Sequence, residues 1–341
     1  MSTSTLTKSV VTAAFASLAV AGAAWANDGH NHATEPTVAE PTGAHMPPGT
    51  RDNFDPVYNV CRGIDPRCYH PWVPDRQNKV LIYTRTAGPR HANLGTALLP
   101  GKNPPLGANN IVQSALVAWM AEQGVAADWT EDVTQLSNLN QYKAVIFAST
   151  SRDTLFKHGT LASPTAAVNT TTNAYLDAAK VLLRQYIRAG GGFVAIHNAF
   201  GTEYNWPWYE GLLGNANYYD HGAFQNGTVY IVANDPSTVG IGSFAFRDEW
   251  YNLEPFPTRV KFLATVDENS LATRRTVHPG HGDFHPVAWC QYYDGGRAWL
   301  TTMGHDGQAF TDGSGFPGQA QFKQLIVNGI LSAMGNKPFC R

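Results

Sequence analysis

Three histidines stand where alternating strands and helices would bring chemistry together. His91 follows Lys79-Val-Leu-Ile-Tyr83, His197 follows Phe193-Val-Ala-Ile196, and His305 follows the run Arg297 to Thr302. An imidazole takes or gives a proton near neutral pH, which suits general acid–base work. Glu249, beside Asp248 and ahead of Trp250-Tyr251, supplies a carboxylate. Adjacent residues of an extended chain point to opposite faces, so only one of the two acids is expected at the site. The expectation is Glu249, with Asp248 orienting it, and His197, His305 and Glu249 as the catalytic set. The same residue types also suit a divalent cation such as zinc, with a position left open for water. Its candidate ligands are His91, His197, His221, Glu249 and His305, although they are scattered and no H-E-x-x-H pattern gathers them. No cofactor is specified: there is no nicotinamide fingerprint, phosphate-binding loop or G-x-S-x-G elbow.

Around these groups lie residues suited to a polar, ring-shaped ligand. Arg90 can hold an anionic or carbonyl oxygen, His91 and His221 add imidazoles, and Asn198 and Glu203 can bind hydroxyls. Trp206, Trp250 and Tyr251 offer flat faces to sugar C–H groups. The competing reading gives each a structural job: a satisfied core histidine, a surface acidic pair, or a Trp-Pro-Trp-Tyr stretch packing a lid. His285 precedes Pro286 at a strand start, at the opposite end from His305, and reads as structural.

The elements that must position these residues follow from periodicity. Buried strands are expected at Lys79–Tyr83, Lys143–Phe147 and Phe193–Ile196, and further strands at Thr228–Val232, Lys261–Val266, Pro286–Gln291 and Arg297–Thr302. Helices are expected at Asn110–Gln123, Asn173–Ala189 and about Gln319–Met334, the first two stopped by Gly124 and Gly190. Strand and helix in alternation imply an α/β layer with a parallel sheet, whose ligands sit outside the strands' carboxyl ends.

The chain has 341 residues, 43% of them hydrophobic and 15% charged, enough for a sizeable core and too apolar for a disordered chain. Net charge is −2 and the pI about 6.6, so no basic footprint for nucleic acid is present. Residues 1–26 read as a signal peptide: Lys8, an apolar stretch from Val10 to Gly22, then Ala24-Trp25-Ala26 as an A-x-A cleavage pattern. A secreted or periplasmic product with no membrane span after cleavage is expected. Residues 27–78 form a Pro-rich tail and N-terminal extension, with His30, His32 and His45 early in it and Cys61 to Trp72 expected to pack on the core. Four cysteines suit an oxidising compartment. Cys61 with Cys68 makes a small loop and leaves Cys290 to Cys340, though four cysteines allow three pairings.

Residues 79–341 resemble the ThuA-like family, named for trehalose utilisation. The resemblance runs through Gly88-Pro-Arg-His91, the segment Gly190 to Ala199, Trp206-Pro-Trp-Tyr-Glu-Gly-Leu-Leu-Gly214 and Asp220-His221. It continues through Arg247-Asp-Glu-Trp-Tyr251, His285-Pro-Val-Ala-Trp289 and Gly295 to His305. It implies an α/β, flavodoxin-like fold related to class I glutamine amidotransferases, a mainly parallel sheet with helices on both faces. Two departures are Ala195 where the family has Gly, and Gly222 where Pro follows the histidine. Amidotransferases need a nucleophilic cysteine at the turn after the third strand. His197 stands there with no cysteine nearby, so a glutaminase is not expected.

The resemblance implies carbohydrate metabolism. The functional expectation is an exported hydrolase, lyase or isomerase acting on a small carbohydrate, a sugar or glycoside that includes keto-sugars, by His/Glu acid–base chemistry. The alternatives are a noncatalytic sugar-binding or partner-docking module, and a periplasmic metal-binding protein using the His-containing tail. Oligomeric state is not specified by the sequence.

Overall fold

The computed structural model describes residues 53–156, 173–274 and 277–341. The expected signal peptide and the tail histidines His30, His32 and His45 lie outside the described residues. Among the described residues, thirteen strands run in chain order as β1 Phe54–Asp55, β2 Val60–Gly63, β3 Gln77–Tyr83, β4 Ala126–Thr130, β5 Tyr142–Ala148, β6 Gly192–Ile196, β7 Tyr218–His221, β8 Gln225–Ile231, β9 Phe244–Asp248, β10 Tyr251–Leu253, β11 Lys261–Val266, β12 His285–Tyr293 and β13 Gly296–Thr301. The α-helices are α1 Ile111–Glu122, α2 Asn173–Arg188, α3 Pro207–Leu212 and α4 Gln319–Met334.

The central strands are parallel, in the order β4-β3-β5-β6-β13. The sheet then continues antiparallel through β12, β11, β8 and β9. Strand alternation divides two cores. Val80 and Ile82 of β3, with Ala144 and Ile146 of β5, face α1 and α4, where Leu116, Trp119, Leu325 and Ile326 are buried. Leu81 and Tyr83, with Val145 and Phe147, face the opposite way, toward Leu183 and Ile187 of α2 and Tyr209 and Leu212 of α3. Each fully buried aliphatic side chain of this kind is worth roughly 1.5–3 kcal/mol. The fold is therefore α/β and flavodoxin-like, with helices on both faces of a mixed sheet whose central strands are parallel.

The expected runs at 228–232, 261–266 and 286–291 are β8, β11 and β12 of the antiparallel half, whereas β4, β9 and several short elements went beyond the periodicity. β4 and β9 are edge strands, and β9 alternates buried and exposed residues instead of forming an apolar run. α3 and the ribbon made by β7 and β10 are too short for a periodic signature. The β12–β13 hairpin turns at Asp294-Gly295, where both residues have positive φ, as the twist of a two-residue hairpin requires. The Asp294 carboxylate then accepts from Arg188 and from the Trp208 indole, each at 2.8 Å, which ties α2 and α3 to the hairpin.

Residues before β3 join the same sheet: β2 pairs with β12, Gly63 opposite Tyr292, and carries β1. Disulfides join Cys61 to Cys68 and Cys290 to Cys340. They point to an oxidising environment. Among the described residues, no helix is long and apolar enough to cross a membrane.

Candidate active site

The carboxyl ends of β3, β5, β6 and β13 open on one edge of the sheet, where parallel α/β folds bind ligands. His91 arrives on the loop after β3, His197 is the first residue after β6, and His305 lies on the turn after β13. Glu249 directly follows β9. These four come from four separate segments, yet one ligand atom from each lies within 4.8 Å of the others. The β7–β10 ribbon adds two more groups, since His221 and Tyr251 are paired across it.

His197 is the buried floor of the site. Its φ is +53°, a left-handed conformation uncommon outside Gly, which Asn, Asp and His adopt more often than other residues. Such strain costs of order 1–3 kcal/mol and persists only where the surroundings over-determine it. Here the neighbouring backbone is pinned, with Ser149 N donating to Ile196 O at 3.0 Å and Arg152 N to Gly201 O at 2.8 Å. The turn aims the imidazole edge into the cleft. Nδ1 lies 2.9 Å from the Thr302 carbonyl oxygen, which can only accept, so Nδ1 carries the proton and Nε2 is bare in the neutral ring. That Nε2 faces Nε2 of His91 at 3.1 Å and the Tyr251 hydroxyl at 2.9 Å, with Glu249 Oε2 at 4.0 Å.

Electrostatics divide the cluster. Burial, with the charge of neighbouring imidazoles, holds His197 well below its ordinary pKa. Burial, then His305, pushes His91 down to about 4. Both rings are neutral near pH 7 and offer lone pairs. Burial would also depress His305, but Glu249 Oε2 lies 3.0 Å from its Nδ1 and the net shift is upward. Burial would raise Glu249, yet His305 and the other imidazoles hold it below its usual value. His221 Nε2 is 3.6 Å from the same carboxylate oxygen.

Asp248, one residue earlier, faces the protein interior. Its carboxylate accepts from the backbone N–H groups of Gly304 at 2.7 Å, Glu249 at 2.8 Å and His305 at 3.2 Å. Burial nevertheless pushes its pKa up to about 7. It therefore fastens the His305 turn against the Glu249 segment. His285, also buried, has Nε2 2.9 Å from the Tyr251 carbonyl oxygen and supports the ribbon from below.

Above the cluster opens a cleft of about 200 Å³, lined among others by Arg152, Asn198, Tyr204, Tyr218, His221, Glu249 and Tyr251. A second hollow of about 320 Å³, lined by His305 among others, shares Pro89 and His91 with it. His91, His197, Asn198, His221, Glu249, Tyr251 and His305 thus meet at one place. Four other expected binding residues do not join them. Arg90 borders the second hollow, but its guanidinium is taken by Glu131 at 2.8 Å and by the carbonyls of Leu94, Gly95 and Thr96. Glu203 is buried between the Leu155 N–H and Lys180, at 2.8 and 3.0 Å. Trp206 stacks on Trp208 at 4.8 Å, against the α2–α3 core. Trp250 is buried on the opposite face from Tyr251, its indole donating to Gln225 O at 3.1 Å, because successive residues alternate.

Arg152, Tyr204 and Tyr218 were not anticipated. The rule that found the histidines finds Arg152 as well, since Ser149-Thr-Ser-Arg152 follows the carboxyl end of β5. Nothing comparable marks Tyr204 or Tyr218, which reach the cleft through irregular chain and a four-residue strand.

The sequence profile of the family described as ThuA, trehalose utilisation, matches residues 79–333. No curated protein matches the chain. Among solved structures, a ThuA-like protein from Bacteroides uniformis is similar at a TM-score of 0.52 and 22% identity, covering 75% of this chain and 91% of that one. A ThuA-like protein from Parabacteroides merdae is similar at a TM-score of 0.50 and 15% identity, covering 76% and 90%. At these identities the likeness is one of fold.

Proposed function

The chain belongs to the ThuA (trehalose utilisation) family, and from that premise we propose that it is an exported enzyme that processes a sugar or glycoside in the cleft above His197. The observation that carries this reading is the convergence of His91, His197, Glu249 and His305, with their ligand atoms within 4.8 Å of one another. Three nitrogens and one carboxylate oxygen make a donor set suited to a divalent cation such as zinc. The bare Nε2 of His197 has a single lone pair but two close neighbours, His91 and Tyr251. A cation would use that lone pair and its counterpart on His91 together. When bound there, it supplies Lewis-acid polarisation of a sugar hydroxyl or carbonyl oxygen.

The remaining steps fall to the chain. His197 and His91 stay neutral and hold position. His221 and the Tyr251 hydroxyl face the same point and move protons to and from the bound sugar, as hydrolysis, elimination or isomerisation each requires, and Glu249 does so where no cation takes its carboxylate. Thioester chemistry is not available, because His197 occupies the turn where a cysteine would be needed. Export is supported by the A-x-A pattern ending at Ala26 and by the two disulfides.

A panel of glycosides and keto-sugars, scored by product chromatography with the full chain and with His197→Asn, tests the reading. The expected result is turnover of at least one substrate, lost in the variant and on chelation, and restored by a divalent cation. Turnover that survives chelation but not the substitution assigns the same residues to direct acid–base catalysis. Sugar binding without turnover, indifferent to changes at His197 and His305, overturns the enzyme in favour of a binding module.

A further inference from the structure

Arg152 is one of the residues that line the cleft. It is exposed, and among the described residues no carboxylate or carbonyl accepts from its guanidinium. The group instead lies over the Tyr204 ring, 5.3 Å from its centroid. Tyr204 is itself fixed, its hydroxyl donating to Tyr218 O at 2.9 Å.

The placement is built. Arg152 has φ +55°, and its backbone is clamped on both sides: its N–H donates to Gly201 O at 2.8 Å, and Glu203 N donates to its carbonyl at 3.0 Å. Its stem runs through a gap left by Gly88, where an added Cβ would lie 2.3 Å from Arg152 Cγ. A solvated surface arginine requires neither the left-handed backbone nor the missing methyl. Both serve to hold a cation beside Tyr204, Tyr218, His221 and Glu249 in a cleft of about 200 Å³. That is below the roughly 300–1,000 Å³ of drug-sized pockets, so the cleft takes one small ring.

We propose that Arg152 is the specificity residue of this cleft and that it recognises an acidic sugar, a uronate whose carboxylate is gripped by the guanidinium fork. The inference rests on the carbohydrate reading above and adds the charge of the substrate to it. A planar fork matches a carboxylate in bidentate fashion, which an ammonium does not. Stacking on Tyr204 pre-orients the fork, so little freedom is lost when it closes on the ligand.

The test is titration calorimetry of the cation-loaded full chain with D-glucuronate and D-glucose. Glucuronate is expected to bind roughly 10- to 100-fold more tightly, the worth of a charge-assisted pair. That preference is expected to collapse in Arg152→Gln and in Gly88→Ala, which displaces the stem without removing the charge, and to survive only in part in Arg152→Lys. Equal binding of the two sugars overturns this proposal and leaves the carbohydrate reading standing. A preference for glucuronate that both variants retain assigns the carboxylate to the cation and also overturns it. Failure of both sugars to bind overturns this proposal, and the panel of glycosides and keto-sugars then decides separately whether the carbohydrate reading stands.

Discussion

The Tyr251 hydroxyl lies 2.9 Å from Nε2 of His197, and the two rings stack with centroids 4.6 Å apart. The contact joins the β7–β10 ribbon to the turn after β6, and a cation that took the His197 lone pair would leave the hydroxyl beside it, free to face a bound sugar. Tyr251→Phe keeps the ring and deletes the donor. It is expected to leave cation binding and folding in place and to lower turnover about 10- to 100-fold, as removal of one hydrogen bond to a charged or metal-facing group does. Steady-state kinetics beside a thermal melt check this.

His197 is held at φ +53°, so its replacement acts on the backbone as well as on the chemistry. Asn accepts the left-handed region more readily than Ala does. Both His197→Asn and His197→Ala are expected to lose turnover, but Ala is expected to be the less stable of the two by about 1 kcal/mol. Denaturant melts of the two variants measure the difference.

Asp248 gathers three backbone N–H groups under the His305 turn. In Asp248→Asn the side-chain NH2 must face one of those donors. A cost of about 1–3 kcal/mol of stability is expected from the donor left unpaired, with looser cation binding because His305 and Glu249 lose their common anchor. Urea denaturation, and metal affinity at a temperature where the variant is folded, report the two effects.

Acid sensitivity follows from the two depressed imidazoles. Unfolded histidine titrates near 6.5, whereas His91 folded titrates at about 4 and His197 lies well below its ordinary value. At these two sites the unfolded chain binds more protons than the folded one between those limits, so their contribution to stability rises with pH and is lost on acidification. Asp248, pushed up to about 7, contributes the opposite sign over the same window, so the expected outcome is a difference between two proteins that share it. The melting temperature of the metal-free protein relative to that of His91→Gln is expected to fall as pH drops from about 6.5 towards 4, and melts across the window compare the two.

Of the parallel strands, β3, β5, β6 and β13 were legible because they are near-continuous apolar runs, a composition that both cores need, whereas the edge strand β4 was not. The carboxyl-end rule also located His91, His197 and His305, since strand ends are fixed by the backbone and not by the side chains beyond them. In the antiparallel half β8, β11 and β12 were legible as well, whereas β9 was not, because it is half exposed and looks like ordinary polar chain. Aromatic residues misled for a related reason. A Trp near a predicted turn signals bulk, but only its partner reveals whether it faces solvent or core. Trp206 found Trp208, and Trp250 found the Gln225 carbonyl, whereas Tyr251, one residue on, faces His197. Arg90 and Arg152 show the same limit for charge: the first is consumed by Glu131, and the second is left for the cleft.

The most direct test is the zinc stoichiometry of the full chain, by equilibrium dialysis and elemental analysis, against the double variant His91→Ala/His197→Asn. His30 and His32 of the tail, which can take up zinc weakly, are common to both proteins and cancel in the comparison. One equivalent fewer in the variant is the predicted result. Equal stoichiometry in the two folded proteins would contradict the account, because the four side chains that meet above β6 would then hold no cation.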